Sequence, residues 1–220
     1  TRINESDLNL IEKNFNIGKI VSFSGIKKGI ENTNYLIKTN KRKIILTIFE
    51  KRVQKKDLPF FMDLMFGLSK NRIKCPEPIK NKKGKYLFKI KSKTACLVSF
   101  LEGKDKNQLT NKDCFQVGKN AALLHLAAKK LRLFRKNSLS VNSWGPLLNR
   151  IDKRINKLSS NLINTMQTDL VDIKKKWPKS MPNGIIHSDL FIDNIFLYKK
   201  KYYGFIDFYF SANDFLAYEL

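Results

Sequence analysis

Cysteine is scarce in these 220 residues: Cys75, Cys96 and Cys114 are odd in number and form no CxxC pair. That excludes a disulfide framework and a zinc cage of the usual ligand spacing. Long apolar runs are missing too, none approaching the ~20 residues that span a bilayer. The opening stretch, Thr1 to Leu10, carries Glu5 and Asp7 and lacks the basic-then-apolar pattern of a secretory leader. These absences lead us to expect a cytoplasmic protein with no membrane partner. Acidic residues are few, 19 against 43 basic, for a net charge of +24. Arginine, the residue that reads base edges, is a minor part of that excess. The lysines are scattered rather than gathered into an arm, and abundant Lys, Asn, Ile and Phe together are what an AT-rich coding sequence yields. We therefore expect no nucleic-acid partner, and read the charge as favouring approach of anionic ligands such as nucleotide phosphates. Also absent is a G-x-x-x-x-G-K-[ST] phosphate loop.

What is present is a globular pattern. Hydrophobic residues make up 42%, enough to exclude disorder and to fill one core in each of two lobes. Apolar spacing predicts a helix over residues 8–17. Strands follow at 20–26, 33–39 and 43–49, joined by the turns Lys27 to Asn32 and Asn40-Lys41, an antiparallel meander. An amphipathic helix is predicted over 58–68, with Pro59 in its first turn. Two further strands, 86–90 and 94–101, complete a set of five. The composition then changes. Thr110 to Asp113 matches a capping box ahead of a long, nearly all-round apolar helix over 114–129. Helical spacing returns at 144–163 and 168–177, and short strands at 195–198 and 202–206 close the chain.

The chemistry is concentrated between residues 184 and 214. Asp189 follows an apolar strand and His187. Asn194 lies five positions later, and Asp207 thirteen beyond that, at the end of another apolar strand. Two carboxylates and an amide are thus set at the mouth of a hairpin. Phosphoryl transfer needs that set: a carboxylate to orient the acceptor hydroxyl and take its proton, and hard oxygen ligands to hold Mg²⁺ against nucleotide phosphates.

The order and spacing resemble the H-x-D-x-x-x-x-N catalytic loop and following metal Asp of the protein-kinase-like fold. The resemblance implies Asp189 as catalytic base, His187 as a brace of the loop, and Asn194 and Asp207 as Mg²⁺ ligands. It also implies an α+β, bilobal architecture. Residues 1–101 would form an N-lobe with a five-stranded antiparallel sheet and one main helix, and residues 102–220 a mostly helical C-lobe with a catalytic hairpin. Asp207 is followed by Phe208-Tyr209 rather than Phe-Gly, so no activation-loop flip is expected. The helical segment before His187 is typical of the aminoglycoside-phosphotransferase-like branch, whose substrates are small molecules. Within it, GIENTNY (Gly29 to Tyr35), LTIFEKR (Leu46 to Arg52), LPFF (Leu58 to Phe61), FLEG (Phe100 to Gly103), HSDLFIDN (His187 to Asn194) and IDFYF (Ile206 to Phe210) with Asn213-Asp214 resemble the homoserine kinases. That family implies ATP and Mg²⁺, and L-homoserine as acceptor. Choline is the alternative acceptor; a polycationic aminoglycoside suits so basic a chain less well.

The remaining assignments follow from the same fold. Gly29 and Asn32 fall in the turn where a phosphate-covering loop belongs. Ser99 to Glu102, with Phe100 and Leu101, stands at the adenine-binding crossing or is an ordinary linker. A kinase-like fold pairs a lysine on the third strand with a helix carboxylate, but Thr47 occupies that position. Lys51, four residues on, and Lys43, four before, are the alternatives, with Asp57 or Asp63 as the helix partner. Lys51 reads equally well as a solvated residue. Arg150, Arg154 and Asp214 are acceptor-site candidates, and His125 reads as a core histidine. The missing initiator Met and an apolar ending over 214–220 that resembles the start of a helix point to a piece of a longer protein.

Overall fold

The computed structural model describes residues 1–27, 31–51, 53–151, 161–199 and 201–219. Helix α1 (Glu5–Asn14) starts where Asn4 and Asp7 cap each other's backbone N–H groups. It lies three residues earlier than the apolar spacing predicts, because Phe15 leaves the helix in extended backbone yet stays buried. Strands β1 (Ile20–Ile26), β2 (Asn32–Thr39), β3 (Lys43–Phe49), β4 (Leu87–Ile90) and β5 (Lys93–Ser99) form one antiparallel sheet in the order β1-β2-β3-β5-β4. Between β3 and β4 runs α2 (Leu58–Lys70), with Pro59 in its first turn.

Side chains alternate across a strand, and here both faces are used. Ile44, Leu46 and Ile48 of β3, with Ala95 and Leu97 of β5, turn to the side that α1 covers through Leu8 and Ile11. Phe49, Cys96 and Val98 turn to the other side. There they join Phe61, Leu64, Met65 and Leu68 of α2 and a core that continues into the second half of the chain. Each fully buried Leu, Ile or Phe stabilises the fold by about 1.5–3 kcal/mol, so this shared core holds the two halves of the chain against each other.

The second half opens with α3 (Asn111–Lys129), whose start is set by the Thr110–Asp113 capping box. The helix is less buried than its composition suggests. Ala121, Leu124, Ala127 and Ala128 are covered, while Phe115, Leu123 and Leu126 face outward. Next come α4 (Val141–Leu148) and α5 (Leu162–Lys176), joined by edge-to-face packing of Trp144 and Trp177 at 5.4 Å. The single helix expected over 144–163 divides: α4 ends at Leu148, residues 152–160 lie outside the described residues, and α5 begins six residues before its predicted start.

Two small antiparallel ladders finish the fold. Strand β6 (Asn183–Ile186) pairs with β9 (Ala212–Phe215), and β7 (Ile195–Tyr198) with β8 (Lys201–Phe205). Strand β9 has no alternating pattern in the sequence, since Asn213 and Asp214 occupy its middle. Residues expected to open a helix form a 3-10 turn, Leu216–Glu219. No helix of the described residues is long and apolar enough to cross a membrane.

Candidate active site

Strand β6 ends in a turn that helps to bring three candidate side chains together. Ile185 and Ile186 are buried, and Ser188 takes a positive φ of 66°, which reverses the chain and carries Asp189 out of the strand. A 3-10 turn, Ile192–Asn194, then returns the chain to β7. The Asn194 side chain is buried in that turn. Its Nδ2 donates to the Asp189 backbone carbonyl at 2.7 Å and to Asp189 Oδ2 at 3.0 Å. Ile206 N donates to the Asn194 carbonyl at 3.0 Å, tying the end of β8 to the same loop. Asp207 comes next and sits at φ 63°. This left-handed position costs a non-glycine residue energy and is common at functional sites.

His187 is almost fully buried. Its Nε2–H donates to the Ile206 carbonyl at 2.8 Å, and its ring packs edge-on against Phe208 at 4.5 Å. Burial pushes the imidazole pKa below its usual 6.5, against the pull of Glu219 and the Ile206 carbonyl. A neutral ring joins the two segments that carry Asp189 and Asp207. The backbone N–H groups of His187 and Ser188 both donate to the Glu219 carboxylate, the second at 3.2 Å.

The Asp207 carboxylate opens into a cleft but is ringed by protein. Burial, then the neighbouring Asp189 and Glu31 charges, push its pKa up to about 6. The cleft, of about 250 Å³, lies between the sheet and the β7–β8 hairpin. Ile45, Val98, Met65, Phe196 and Ile206 give it apolar walls, the Ser99–Leu101 segment forms one end, and Asn194 and Asp207 stand inside it. Asp105 and Asp193 are its other charged lining residues among the described residues.

The remaining sequence candidates divide. Phe100 and Leu101 line the cleft. Asn32 begins β2 outside the lining, with its Oδ1 buried and unpartnered among the described residues. Gly29 and Arg154 lie outside the described residues. Lys51 falls beyond the end of β3, exposed and away from the cleft, because the strand stops at Phe49. Lys43 lies at the opposite end, 3.4 Å from Glu102. Thr47 does face the cleft. Its hydroxyl donates to Asn34 Oδ1 at 2.8 Å, and Tyr209, hydrogen-bonded to Thr47, is held protonated by burial. A neutral polar cluster thus stands where a lysine was expected. Asp63 is exposed, and Asp57 pairs with Arg135 rather than with a strand lysine. Arg150 is exposed. Asp214 accepts from Asn137 Nδ2 at 2.7 Å, and His125, half-buried, lies 3.4 Å from Glu219. Arg135 and Glu219 were missed by sequence reasoning, since a single charge outside a motif carries no signal of what it touches.

Comparison with known proteins settles the family. The model of the "Phosphotransferase enzyme family" matches residues 22–220. A homoserine kinase of Allorhizobium ampelinum is 42% identical over all 220 residues, which cover 68% of that protein. One from Rhizobium etli is 40% identical over the same spans. The chain belongs to the phosphotransferase enzyme family, among the homoserine kinases. Solved phosphotransferases share its fold at low identity. A spectinomycin phosphotransferase in complex with ADP and spectinomycin superposes with a TM-score of 0.72 at 16% identity, covering all of this chain and 73% of that one. The amicoumacin kinase hAmiN, in complex with AMP-PNP and Ca²⁺, gives 0.75 at 16% identity, covering 98% and 66%. The bilobal α+β kinase-like architecture implied by the motif is thus the fold of this phosphotransferase.

Proposed function

We infer that this chain transfers the γ-phosphate of ATP to the hydroxyl of L-homoserine, giving O-phospho-L-homoserine and ADP, the cytoplasmic step that leads toward threonine. The observation that carries this reading is the end-to-end similarity to homoserine kinases. The grouping of Asp189, Asn194 and Asp207 at the cleft supports it. Residues 1–101 serve as the nucleotide-binding lobe and residues 102–220 as the catalytic and acceptor lobe.

In this reading the adenine ring lies between the apolar walls of the cleft, at the Phe100–Leu101 end, and the phosphates point toward Asp207. Asp189 accepts the acceptor's hydroxyl proton as that oxygen bonds to the γ-phosphorus and the bond to the ADP oxygen breaks. Asn194 holds the Asp189 carboxylate in one orientation through its 3.0 Å contact. With Nδ2 directed at Asp189, Asn194 offers its Oδ1 to a cation, beside the Asp207 carboxylate. The donor set fits Mg²⁺, which takes one or two protein oxygens and keeps its waters. Burial first, then the Asp189 and Glu31 charges, raise the Asp207 pKa, and a cation beside the carboxylate would offset both. Bound there, Mg²⁺ neutralises phosphate charge.

The test is an ATP-consumption assay with Mg²⁺, offering L-homoserine, choline and an aminoglycoside in parallel. Turnover with homoserine alone is expected. Turnover with choline and none with homoserine would reassign the acceptor.

A further inference from the structure

Thr47 leaves the third strand without the lysine that pairs with a helix carboxylate in kinase-like folds and ties that helix to the nucleotide site. Helix α2 is tied from the other side. Arg135 lies in the segment after α3. Its backbone is clamped to β9 by two hydrogen bonds: Asn213 N donates to the Arg135 carbonyl at 2.7 Å, and Arg135 N to Asn213 Oδ1 at 2.8 Å. Held there, the side chain reaches two separate elements. Nε donates to Asp57 Oδ2 at 2.8 Å, at the start of α2. Nη1 donates to the carbonyls of Phe210 at 3.3 Å and Ser211 at 3.0 Å, in the turn that follows Asp207. The guanidinium also lies over the Phe61 ring of α2, 5.0 Å from its centre. Phe61 in turn meets Tyr209 edge-to-face at 5.9 Å.

We propose that Arg135 is a positioning residue for phosphoryl transfer. It locks the start of α2 to the Phe208–Ser211 turn and so fixes Asp207 at the mouth of the cleft. The inference rests on the reading of Asp207 as a metal-holding residue. The geometry suits arginine alone: a planar fork can serve a carboxylate and two carbonyls while stacking on a ring, and lysine cannot. Both partners are largely shielded, with side-chain exposures of 15% for Arg135 and 18% for Asp57, so the contact is screened less than a surface ion pair. Phe208, the first residue of the clamped turn, is fully buried against His187. A shift of the turn would therefore reach the loop that carries Asp189.

The experiment compares wild type, Arg135→Lys, Asp57→Asn and the double variant, each checked for a cooperative melt. Steady-state rates with homoserine are measured across a Mg²⁺ titration at saturating ATP, and Mg·ADP binding is measured by calorimetry. Arg135→Lys should melt cooperatively, lose at least about tenfold in kcat, need several-fold more Mg²⁺ for half its maximal rate, and bind Mg·ADP more weakly. Asp57→Asn should move the same quantities by less. The double variant should be no worse than Arg135→Lys, since both changes break one contact. Wild-type kcat and Mg²⁺ dependence in Arg135→Lys would overturn the proposal. So would a lowered melting temperature with unchanged Mg²⁺ dependence, because that would make the arginine a stabilising contact only. If wild type turns over no homoserine, the functional reading fails by itself, and weaker Mg·ADP binding in Arg135→Lys still decides the coupling.

Discussion

Asn194 Nδ2 holds Asp189 twice, donating to its backbone carbonyl at 2.7 Å and to its carboxylate at 3.0 Å. The amide therefore sets both where the loop passes and which way the carboxylate turns. Asp189→Asn keeps the shape and removes the proposed proton acceptor, and should lower kcat by about 10²–10⁴-fold, the usual range for a positioned general base. Asn194→Ala should lower kcat and also raise the Mg²⁺ requirement, because the same residue orients Asp189 and is proposed to offer an oxygen to the cation. Rates measured across a Mg²⁺ titration distinguish the two. If both variants show one Mg²⁺ dependence, Asn194 acts through Asp189 alone.

The Asp207 carboxyl gives a pH dependence with a definite sign. Its pKa in the folded chain is about 6, against an ordinary 3.8. Between those values the folded chain keeps a proton that the unfolded chain has released. Stability of the metal-free protein should then fall as pH rises through that window. Mg·ADP favours the ionised carboxylate and should flatten the dependence. Denaturant midpoints from pH 4 to 7, with and without Mg·ADP, check both statements, and Asp207→Asn should remove this contribution to the slope.

The Glu219 carboxylate, 2% exposed, receives the backbone N–H groups of His187 and Ser188 and lies beside His125. In Glu219→Gln, one acceptor oxygen becomes an NH₂ that can face a backbone donor. The change should cost about 1–3 kcal/mol, the range for a buried polar group left unsatisfied. It should lower kcat as well, because Ser188 is held at a positive φ next to Asp189. Urea denaturation and steady-state rates read the two effects separately. An unchanged midpoint would show that water replaces the lost contact.

Much of this architecture was legible because local signals agreed with the global fold. Pro59 marked the start of α2 and the Thr110–Asp113 capping box that of α3, and apolar runs bounded by turn residues placed β1 to β5. The spacing from His187 to Asn194 and on to Asp207 named three residues that the fold brings together. What stayed hidden depends on contacts distant in sequence. Strand β9 is fixed by pairing with β6, although Asn213 and Asp214 interrupt its apolar pattern. Lys51 lies two residues past Phe49, where β3 is both predicted to end and ends, so counting four residues on from Thr47 gave it no place on the strand face. Arg135 and Asp57 are 78 positions apart, and neither lies in a recognisable motif.

Gly204 shows how closely the β7–β8 hairpin is fitted to the first half of the chain. It lies in β8, three residues before Asp207, and is buried. A Cβ placed there would lie 2.4 Å from the Lys74 carbonyl oxygen and 2.9 Å from a methyl of Leu101. The first neighbour is backbone, held in place because Phe205 N donates to that same carbonyl at 3.1 Å. Gly204→Ala must therefore move β8 or the 74–75 segment, and overpacking of this kind costs about 1–3 kcal/mol. Movement of β8 also displaces Asp207 and the Leu101 wall of the cleft. The expected result is a lower urea midpoint together with weaker Mg·ADP binding in the fraction that stays folded. A lower midpoint with unchanged Mg·ADP affinity would mean that the 74–75 segment yields and the hairpin keeps its place.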